Sequence, residues 1–379
     1  MSWALWITGV PGSGKSTLAR GAAERLRAAG TGVHVLELDA IRKFVTPTPR
    51  YSDAERDVVY RGLVYLARML VEAGRPVIID ATAHRRAWRD RARATIGRFA
   101  EVQLICPSDD ARQRERSRAP GHAPRDIYEH AGAPGAKVPG VDVPYEPALS
   151  PELTLDTTAL DVPAAVEAIV QLTSTLAQSS PAPSPTADVT WAVWITGLPG
   201  SGKTTLAWGV AERLMGRGMP VRVVDVAEAR RLLLDGRQGS DVEEDVLHRT
   251  IVYAAKLLTE AGIPVLIDAT APRRCWRDMA RAAIGRFAEV QLVCPREVCQ
   301  DRERAVRWHL GPCGPTSLPR QAASPGPDIV IDYEESLRPD LVLHTDVQHE
   351  TTAAEAIVLI VLRLTARLDA EAGPEARVS

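Results

Sequence analysis

Two short glycine-rich stretches have the composition and spacing of a phosphate-binding loop. "GVPGSGKS" spans residues 9–16 and "GLPGSGKT" spans residues 197–204, each between an apolar run and a helical stretch. Both fit G-x-x-x-x-G-K-[S/T], in which backbone N–H groups surround phosphate oxygens at a helix N-terminus. We therefore predict nucleotide-binding residues in the first stretch at Gly9, Gly12, Ser13, Gly14, Lys15, Ser16 and Thr17, and in the second at Gly197, Gly200, Ser201, Gly202, Lys203, Thr204 and Thr205.

The first loop also predicts chemistry. Lys15 is expected to contact the β- and γ-phosphates of ATP, and Ser16 to ligate Mg²⁺. Phosphate transfer further needs a carboxylate that holds the metal or takes the acceptor's proton. Glu37 and Asp39 end the second predicted strand, and Asp80 ends the third. We predict Lys15, Asp39 and Asp80 as catalytic residues and Ser16 and Asp80 as Mg²⁺ ligands, with helix capping as the structural alternative for both aspartates.

Two arginine-rich segments, residues 84–93 and 111–118, follow these acids. Each forms either a solvated helix face or a mobile lid over the transferring phosphate. Because only five of the 46 basic residues are lysines, a single arginine carries little weight. Arg114 and Arg118 are the candidates for a lid, and both interpretations stay open.

The chain is a tandem repeat without gaps. Lys15 and Lys203 lie 188 residues apart, and the run "IGRFAEVQL" occurs at residues 96–104 and again at 284–292. The stretch between the copies is rich in Pro, Ser and Ala and is predicted to be an exposed linker. We predict a first domain at 1–178, a linker at 179–188, a second domain at 189–369 and a tail at 370–379.

Within each copy, apolar runs alternate with amphipathic stretches. In the first copy "WALWIT", "VHVLEL", "PVIID", "VQLIC" and "ELTLD" are predicted strands, and residues 16–29 and 57–73 are predicted helices. Near-continuous apolar strands separated by helices indicate a parallel sheet covered on both faces. We predict an α/β fold of two tandem P-loop NTPase domains of the kinase type. Each has a mostly parallel five-stranded sheet that binds ligands at the carboxyl ends of its strands.

Composition narrows the choice of partners. The 379 residues carry a formal net charge of −2, which gives no reason to expect nucleic acid or an anionic membrane as partner. No apolar run reaches the roughly 18 residues of a membrane span. We predict a cytoplasmic protein whose cysteines are buried free thiols, and the oligomeric state stays open. The cysteines are Cys106, Cys275, Cys294, Cys299 and Cys313.

Several segments of the first copy resemble the adenylylsulfate kinase family. "VLELDAIR" is similar to the family's L-D-G-D-N-x-R, and "YSDAERDVVYRG" to its F-S-x-x-D-R-x-x-N-x-x-R. "DIYEHAGAPGAKVPGVDVPYEPALSPELTLDT" resembles its G-L-Y-x-x-A, D-x-P-Y-E-x-P and P-E-L-x-L-D-T segments, which no general nucleotide-binding constraint demands. The resemblance implies ATP- and Mg²⁺-dependent phosphorylation of the 3′-hydroxyl of a small nucleotide acceptor, adenosine 5′-phosphosulfate, in sulfate assimilation.

The resemblance also implies an acceptor site at Arg42, Tyr51, Arg56, Thr82 and Arg85. Tyr51 stands where the family has a Phe that stacks on the acceptor's base, and Arg56 where an Arg holds its phosphosulfate end. Thr82 and Arg85 match the Ser and Arg of the family's I-S-P-Y-R. An aromatic face suits an adenine, and guanidinium groups suit an anion. The sequence departs from the family pattern at Glu37, Leu38, Ala40, Val59 and Gly62.

The second copy keeps its phosphate loop and Asp268 but loses residues on the acceptor side. Asp39 is replaced by Ala227, Tyr51 by Gly239 and Arg56 by Glu244. Because Glu in place of Arg repels an anion, we expect the second copy to bind nucleotide but to transfer phosphate poorly. Two other hypotheses stay open for the whole chain. One is a P-loop kinase for another small-molecule or polynucleotide hydroxyl, and the other is a non-catalytic ATP-binding regulatory protein.

Overall fold

The computed structural model describes residues 2–117, 128–129, 131, 138–177, 190–310 and 332–371, without side chains at 306–310 and 367–371. The chain divides into two compact units, Met1–Pro185 and Thr186–Ser379. The predicted linker and most of the predicted tail lie outside the described ranges, so their boundaries stay predictions.

The first unit has five strands and six helices in its described part. In chain order they are β1 Ala4–Thr8, α1 Lys15–Ala28, β2 His34–Glu37, α2 Leu38–Val45, α3 Asp53–Glu72, β3 Val77–Asp80, α4 Arg86–Thr95, β4 Phe99–Ile105, α5 Ser108–Arg116, β5 Leu153–Asp156 and α6 Val162–Ala177. The strands form one sheet in the order β2-β3-β1-β4-β5, and every pair is parallel.

The second unit repeats this order of elements within the range that the structure describes. They are β6 Ala192–Gly197, α7 Lys203–Gly216, β7 Arg222–Asp225, α8 Val226–Leu234, α9 Asp241–Glu260, β8 Val265–Asp268, α10 Arg274–Ala283, β9 Phe287–Val293, α11 Arg296–Leu310, β10 Leu341–His344 and α12 Glu350–Glu371. Its sheet is also parallel, in the order β7-β8-β6-β9-β10. The predicted α/β fold with two five-stranded sheets is confirmed.

Burial explains why the strands read as continuous apolar runs. Every residue of β1 is buried, and β3 is buried over its whole length. In the first unit α1 and α6 pack on one face of the sheet, around Trp3, Leu5 and Ile7. Helices α3 and α4 contact strands β1, β3 and β4 as well, and the complete burial of β1 and β3 shows that both faces of these central strands are covered.

Helix α3 begins four residues before the predicted start at position 57. Ser52 is its N-cap, and the Ser52 hydroxyl accepts a hydrogen bond from the Glu55 amide at 3.2 Å. The second unit has a full capping box, formed by Ser240 and Glu243. The S-x-x-E pattern at residues 52–55 was the signal for this earlier start.

Two further observations concern exposure. Within the described ranges, no helix is long and apolar enough to cross a membrane. Cys294 and Cys299 are buried free thiols as predicted, and Cys106 is half-buried. The prediction is wrong for Cys275, which is exposed because it lies in the first turn of α10 on its solvent side. Cys313 lies outside the described residues.

Candidate nucleotide and acceptor site

The two glycine-rich loops have the same backbone geometry. Gly12 and Gly14 have φ angles of +77° and +92°, in the left-handed region, and Gly200 and Gly202 have +78° and +92°. A Cβ on Gly12 would lie 2.1 Å from the carbonyl oxygen of Ala111, so no side chain fits there. Each loop leads directly into a helix N-terminus, which leaves free N–H groups for an anion.

The loop lysines lie over these turns. The Lys15 ammonium donates to the carbonyl oxygens of Gly9 at 3.1 Å and Val10 at 2.9 Å. Lys203 donates to the carbonyl oxygen of Leu198 at 2.8 Å. Burial lowers the pKa of Lys203, and the nearby negative charge of a strand-end carboxylate partly offsets this. Both units thus hold a cation at the mouth of the loop.

Acidic groups converge beside Lys15. Sheet register pairs Glu37 with Asp80, so these carboxylates lie on neighbouring strand ends. Asp80 is 5% exposed, and burial raises its pKa. The charge of Lys15 and a hydrogen bond with Ser16 act in the opposite direction, whereas Glu37 and Asp39 raise the pKa further. The four predicted groups, Lys15, Ser16, Asp39 and Asp80, therefore lie close to one another at the carboxyl edge of the sheet, with Glu37 beside them.

Neither predicted aspartate caps a helix. Asp80 ends β3, and the next helix is capped at Arg85. Strand β2 ends at Glu37, which is the N-cap of α2, so Asp39 lies in the first turn of that helix and not at the strand end as predicted. A carboxylate in a first turn is favoured by the helix dipole. The position keeps Asp39 near Asp80.

Three predicted acceptor residues form one cluster. The guanidinium carbons of Arg42 and Arg56 lie 5.5 and 5.9 Å from the ring centroid of Tyr51. The Tyr51 ring is 40% exposed, whereas Arg42 is 9% exposed and lies 3.8 Å from the Glu55 carboxylate. Burial lowers the pKa of Arg56. An exposed aromatic face beside two cations can hold a planar group that carries negative charge.

The loop after β3 carries the other two. The Thr82 carbonyl accepts from the Thr8 hydroxyl at 2.6 Å, and the Arg85 guanidinium lies 3.6 Å from Asp53 at the start of α3. Burial lowers the pKa of His84 to about 4, and the charges of nearby Arg56 and Arg85 act in the same direction. The two groups of predicted acceptor residues are therefore adjacent.

Two tyrosines near the site are not among the predicted site residues. The Tyr60 hydroxyl accepts from the Ala83 amide at 3.0 Å, and its ring stacks on Trp88 with centroids 4.0 Å apart. The Tyr128 hydroxyl donates to the carbonyl oxygen of Pro11 in the phosphate loop at 2.8 Å. Burial raises the pKa of Tyr128 to about 12, so it stays a neutral donor.

The candidate lid arginine on α5 is engaged elsewhere. The Arg114 guanidinium donates to the hydroxyl and carbonyl oxygens of Thr157 at 2.9 and 2.8 Å. Arg302 makes the equivalent bond to the carbonyl oxygen of Thr345 at 2.7 Å. These bonds tie the helix to the end of the last strand and give no support to a lid role for Arg114. Arg118 lies outside the described residues.

Ion pairs fill the equivalent region of the second unit. Arg230 and Glu244, at the positions of Arg42 and Arg56, form a bidentate pair with one contact at 2.8 Å, and Glu244 also accepts from the Gly239 amide at 2.9 Å. Two further pairs, Arg237 with Glu243 at 3.1 Å and Arg273 with Asp241 at 2.8 Å, lie beside it. Carboxylates of the same chain thus engage these cations.

Buried His248 should make the folding stability of the second unit sensitive to acid. It is 3% exposed, stacks on Trp276 at 3.8 Å and has its pKa lowered by burial to about 4. The unfolded chain takes up the proton near pH 6.5, so stability falls as the pH drops from about 6.5 to 4. Replacing His248 by Tyr, the residue of the first unit, should shrink the shift in urea midpoint between pH 7 and pH 5. Replacing exposed His344 by Tyr is the control, and an equal change there would contradict the assignment.

Comparison with known proteins shows the family of the chain. A family model described as adenylylsulphate kinase matches residues 1–156 and 189–308. An adenylyl-sulfate kinase of Synechococcus sp. (strain JA-2-3B'a(2-13)) is 43% identical over 111 residues, which cover 29% of this chain and 63% of the relative. This chain thus spans less than two thirds of that relative. A probable adenylyl-sulfate kinase of Archaeoglobus fulgidus is 34% identical over 158 residues, 41% of this chain and 97% of the relative.

Solved structures give a related comparison. The Mycobacterium tuberculosis APS kinase CysC in complex with AMPPNP and APS has 25% identity and a TM-score of 0.37, over 45% of this chain and 97% of that one. The family assignment rests on the sequence matches, because the family model covers more than half of the chain and segments of both units. The chain belongs to the adenylylsulphate kinase family.

Proposed function

We propose that the first unit is an ATP- and Mg²⁺-dependent phosphotransferase that phosphorylates the 3′-hydroxyl of adenosine 5′-phosphosulfate. One observation carries the proposal: a phosphate loop, a buried strand-end carboxylate and an exposed ring beside two arginines lie together at one edge of one sheet. The loop suits a nucleoside triphosphate, and the ring with its arginines suits a second, anionic nucleotide. The names of the relatives support this pairing.

The donor set around Ser16 fits a magnesium ion. Its hydroxyl is hydrogen-bonded to the buried Asp80 carboxylate, and the charges of Glu37 and Asp39 act on the same position. Mg²⁺ prefers such oxygen ligands, and when bound it neutralises charge on the phosphates. We assign Ser16 and Asp80 to the metal because Ser16 lies at the start of α1, beside the loop that would hold the phosphates, and Asp80, at the end of β3, is hydrogen-bonded to Ser16.

The remaining groups bind and orient. Lys15, now on loop carbonyls, would turn to the β- and γ-phosphates, while Tyr51 stacks on the acceptor's adenine and Arg42 and Arg56 hold its anionic end. Asp39 then accepts the proton of the 3′-hydroxyl. It is a half-buried carboxylate next to the metal position, and the resemblance assigns this carboxylate to the acceptor.

We propose a different role for the second unit, which holds a nucleotide without transferring its phosphate. Its loop has the geometry of the first and retains Lys203 and Thr204. At the positions of the predicted site residues it has Ala227 in place of Asp39, and Arg230 is paired with Glu244. An anion would have to displace Glu244 before it could reach Arg230, which costs the free energy of the existing pair.

The test is ADP release by the full chain with ATP and Mg²⁺. We expect release to depend on adenosine 5′-phosphosulfate and to be much slower with AMP, which lacks the sulfate. Dependence on another small hydroxyl compound, or on a 5′-hydroxyl oligonucleotide, would favour the second kinase hypothesis. Tight ATP binding with no acceptor-dependent release would favour a regulatory nucleotide-binding protein.

A further inference from the structure

The loop after β3, residues 81–86, is held by other elements along its whole length. We name it the acceptor loop, because it carries Thr82 and Arg85. Side chains from β1 and α3 bond to its backbone: Trp6 donates to the Ala81 carbonyl at 2.9 Å, Thr8 donates to the Thr82 carbonyl at 2.6 Å, and Tyr60 accepts from the Ala83 amide at 3.0 Å. Three successive residues of the loop are thus held by side chains from outside it.

The loop needs this support because its backbone is strained. Ala83 has a φ of +41°, in the left-handed region that residues with a Cβ rarely adopt. The second unit repeats the feature, since Ala271 has a φ of +40°. A strained residue persists only where the surroundings fix it, and such residues concentrate at functional sites.

Residues 138–149, which we name the brace, complete the support from the opposite side. The Tyr145 hydroxyl lies 3.0 Å from the Thr8 hydroxyl. The Glu146 amide donates to the His84 carbonyl at 2.8 Å, and the Glu146 carboxylate accepts from the Arg86 amide at 2.7 Å, at the first residue of α4. The brace thus fixes both the middle and the end of the acceptor loop.

A buried ion pair anchors the brace itself. Arg89 is 0% exposed and donates to the Glu101 carboxylate at 2.6 Å. The same guanidinium donates to the carbonyl oxygen of Glu146 and lies 5.4 Å from the ring centroid of Tyr145. A buried charge pair tolerates little displacement, so Arg89 holds Tyr145 and Glu146 at fixed positions.

We propose that Tyr145 and Glu146 are positioning residues of the transfer reaction. They hold the acceptor loop in its strained conformation, so that Thr82 and Arg85 meet the acceptor at a fixed place. The inference rests on the proposed function for the role of the loop in binding the acceptor. The fixing of the loop by the brace rests on the hydrogen bonds alone.

The second unit supplies a matched internal control. The Tyr333 hydroxyl lies 3.1 Å from that of Thr196, and the Glu334 carboxylate accepts from the Arg274 amide at 2.6 Å. The Glu334 amide donates to the carbonyl oxygen at position 272 at 2.9 Å. Removing Glu334 therefore makes the same local change in the unit to which we assign no transfer.

The experiment compares Glu146→Ala, Glu146→Gln and Glu334→Ala in the full chain. For Glu146→Ala we expect the KM for adenosine 5′-phosphosulfate to rise about tenfold while the KM for ATP stays unchanged, because a misplaced loop affects the acceptor only. Glu146→Gln should restore the acceptor KM, since its amide oxygen can accept from the Arg86 N–H. Glu334→Ala should leave both constants at wild-type values. Equal rises in both KM values, or no rise in either, would overturn the proposal.

Hydrogen exchange separates this inference from the proposed function. In Glu146→Ala, amide exchange measured by mass spectrometry should rise in the peptide that holds residues 81–86 and not in the phosphate-loop peptide. Tyr145→Phe, which removes only the hydroxyl, should produce a smaller rise in the same peptide. If these rises occur while the wild type fails to use adenosine 5′-phosphosulfate, the proposed function is refuted and the fixing of the acceptor loop by the brace is supported. Unchanged exchange in both variants would refute the fixing of the acceptor loop by the brace.

Discussion

Lys15→Ala should lower acceptor-dependent ADP release by about 10²–10³-fold, whereas Lys203→Ala should leave most of it. The Lys15 ammonium is the cation at the first loop, beside the acids at the strand ends, and its loss removes charge stabilisation of the transferring phosphate. Lys203 stands at the same place in a unit that has Ala227 in place of Asp39 and Glu244, paired with Arg230, in place of Arg56. The measurement is kcat for each variant at saturating ATP.

Nucleotide binding gives the control for this pair. By calorimetry, the wild type should bind two ATP molecules per chain, each single variant about one with high affinity, and the double variant none. A single high-affinity site in the wild type would contradict the proposed role of the second unit. Loss of transfer in Lys203→Ala, with ATP still bound at the first loop, would show that the second unit takes part in the reaction.

The fold could be predicted because its signals are local and were present twice. Buried parallel strands are apolar throughout, and the loop glycines at positions 12 and 14 have φ angles that favour glycine. One element boundary differs from the prediction. Strand β2 ends at Glu37 and α2 starts at the next residue, so Asp39 belongs to a helix. The apolar run continues through Leu38 and gave no sign of that change.

The contacts that Glu244 makes in the second unit were not predicted from the sequence. The sequence argument was that Glu244 repels an anion. In the structure, Glu244 binds Arg230 and the Gly239 amide, and thereby engages a retained cation as well. This pair joins helices α8 and α9 through two residues that lie 14 positions apart in the sequence. A sequence alone does not show which of several arginines a carboxylate selects.

The brace is a case that sequence reasoning could not reach. The segment around Tyr145 was recognised as diagnostic of a family, yet the resemblance assigned it no role. Its bonds to the acceptor loop span about sixty residues, from Arg86 to Glu146. A motif pattern shows only that such residues match the family and gives no reason for the match. The partners are backbone groups, which every residue type provides.

Asp39→Ala should reduce kcat by about 10²–10⁴-fold, the usual contribution of a general base, with little change in ATP binding. The substitution gives the first unit the residue that the second has at Ala227. Asp39 lies in the first turn of α2 and raises the pKa of buried Asp80, so its removal relieves repulsion between carboxylates. This relief offsets the helix-dipole stabilisation that Asp39 gives in the first turn, so the variant should unfold within a few degrees of the wild type, which separates lost chemistry from lost folding.

The reverse substitution tests whether one carboxylate is enough. Ala227→Asp, made in the Lys15→Ala background, should not create transfer activity, because Arg230 stays paired with Glu244. Adding Glu244→Arg removes that pair and restores a cation at the position of Arg56, so anion binding should return before any turnover does. Wild-type activity in Asp39→Ala would refute the assigned base. Activity in Ala227→Asp alone would show that the missing acid, and not the Arg230–Glu244 pair, prevents transfer in the second unit.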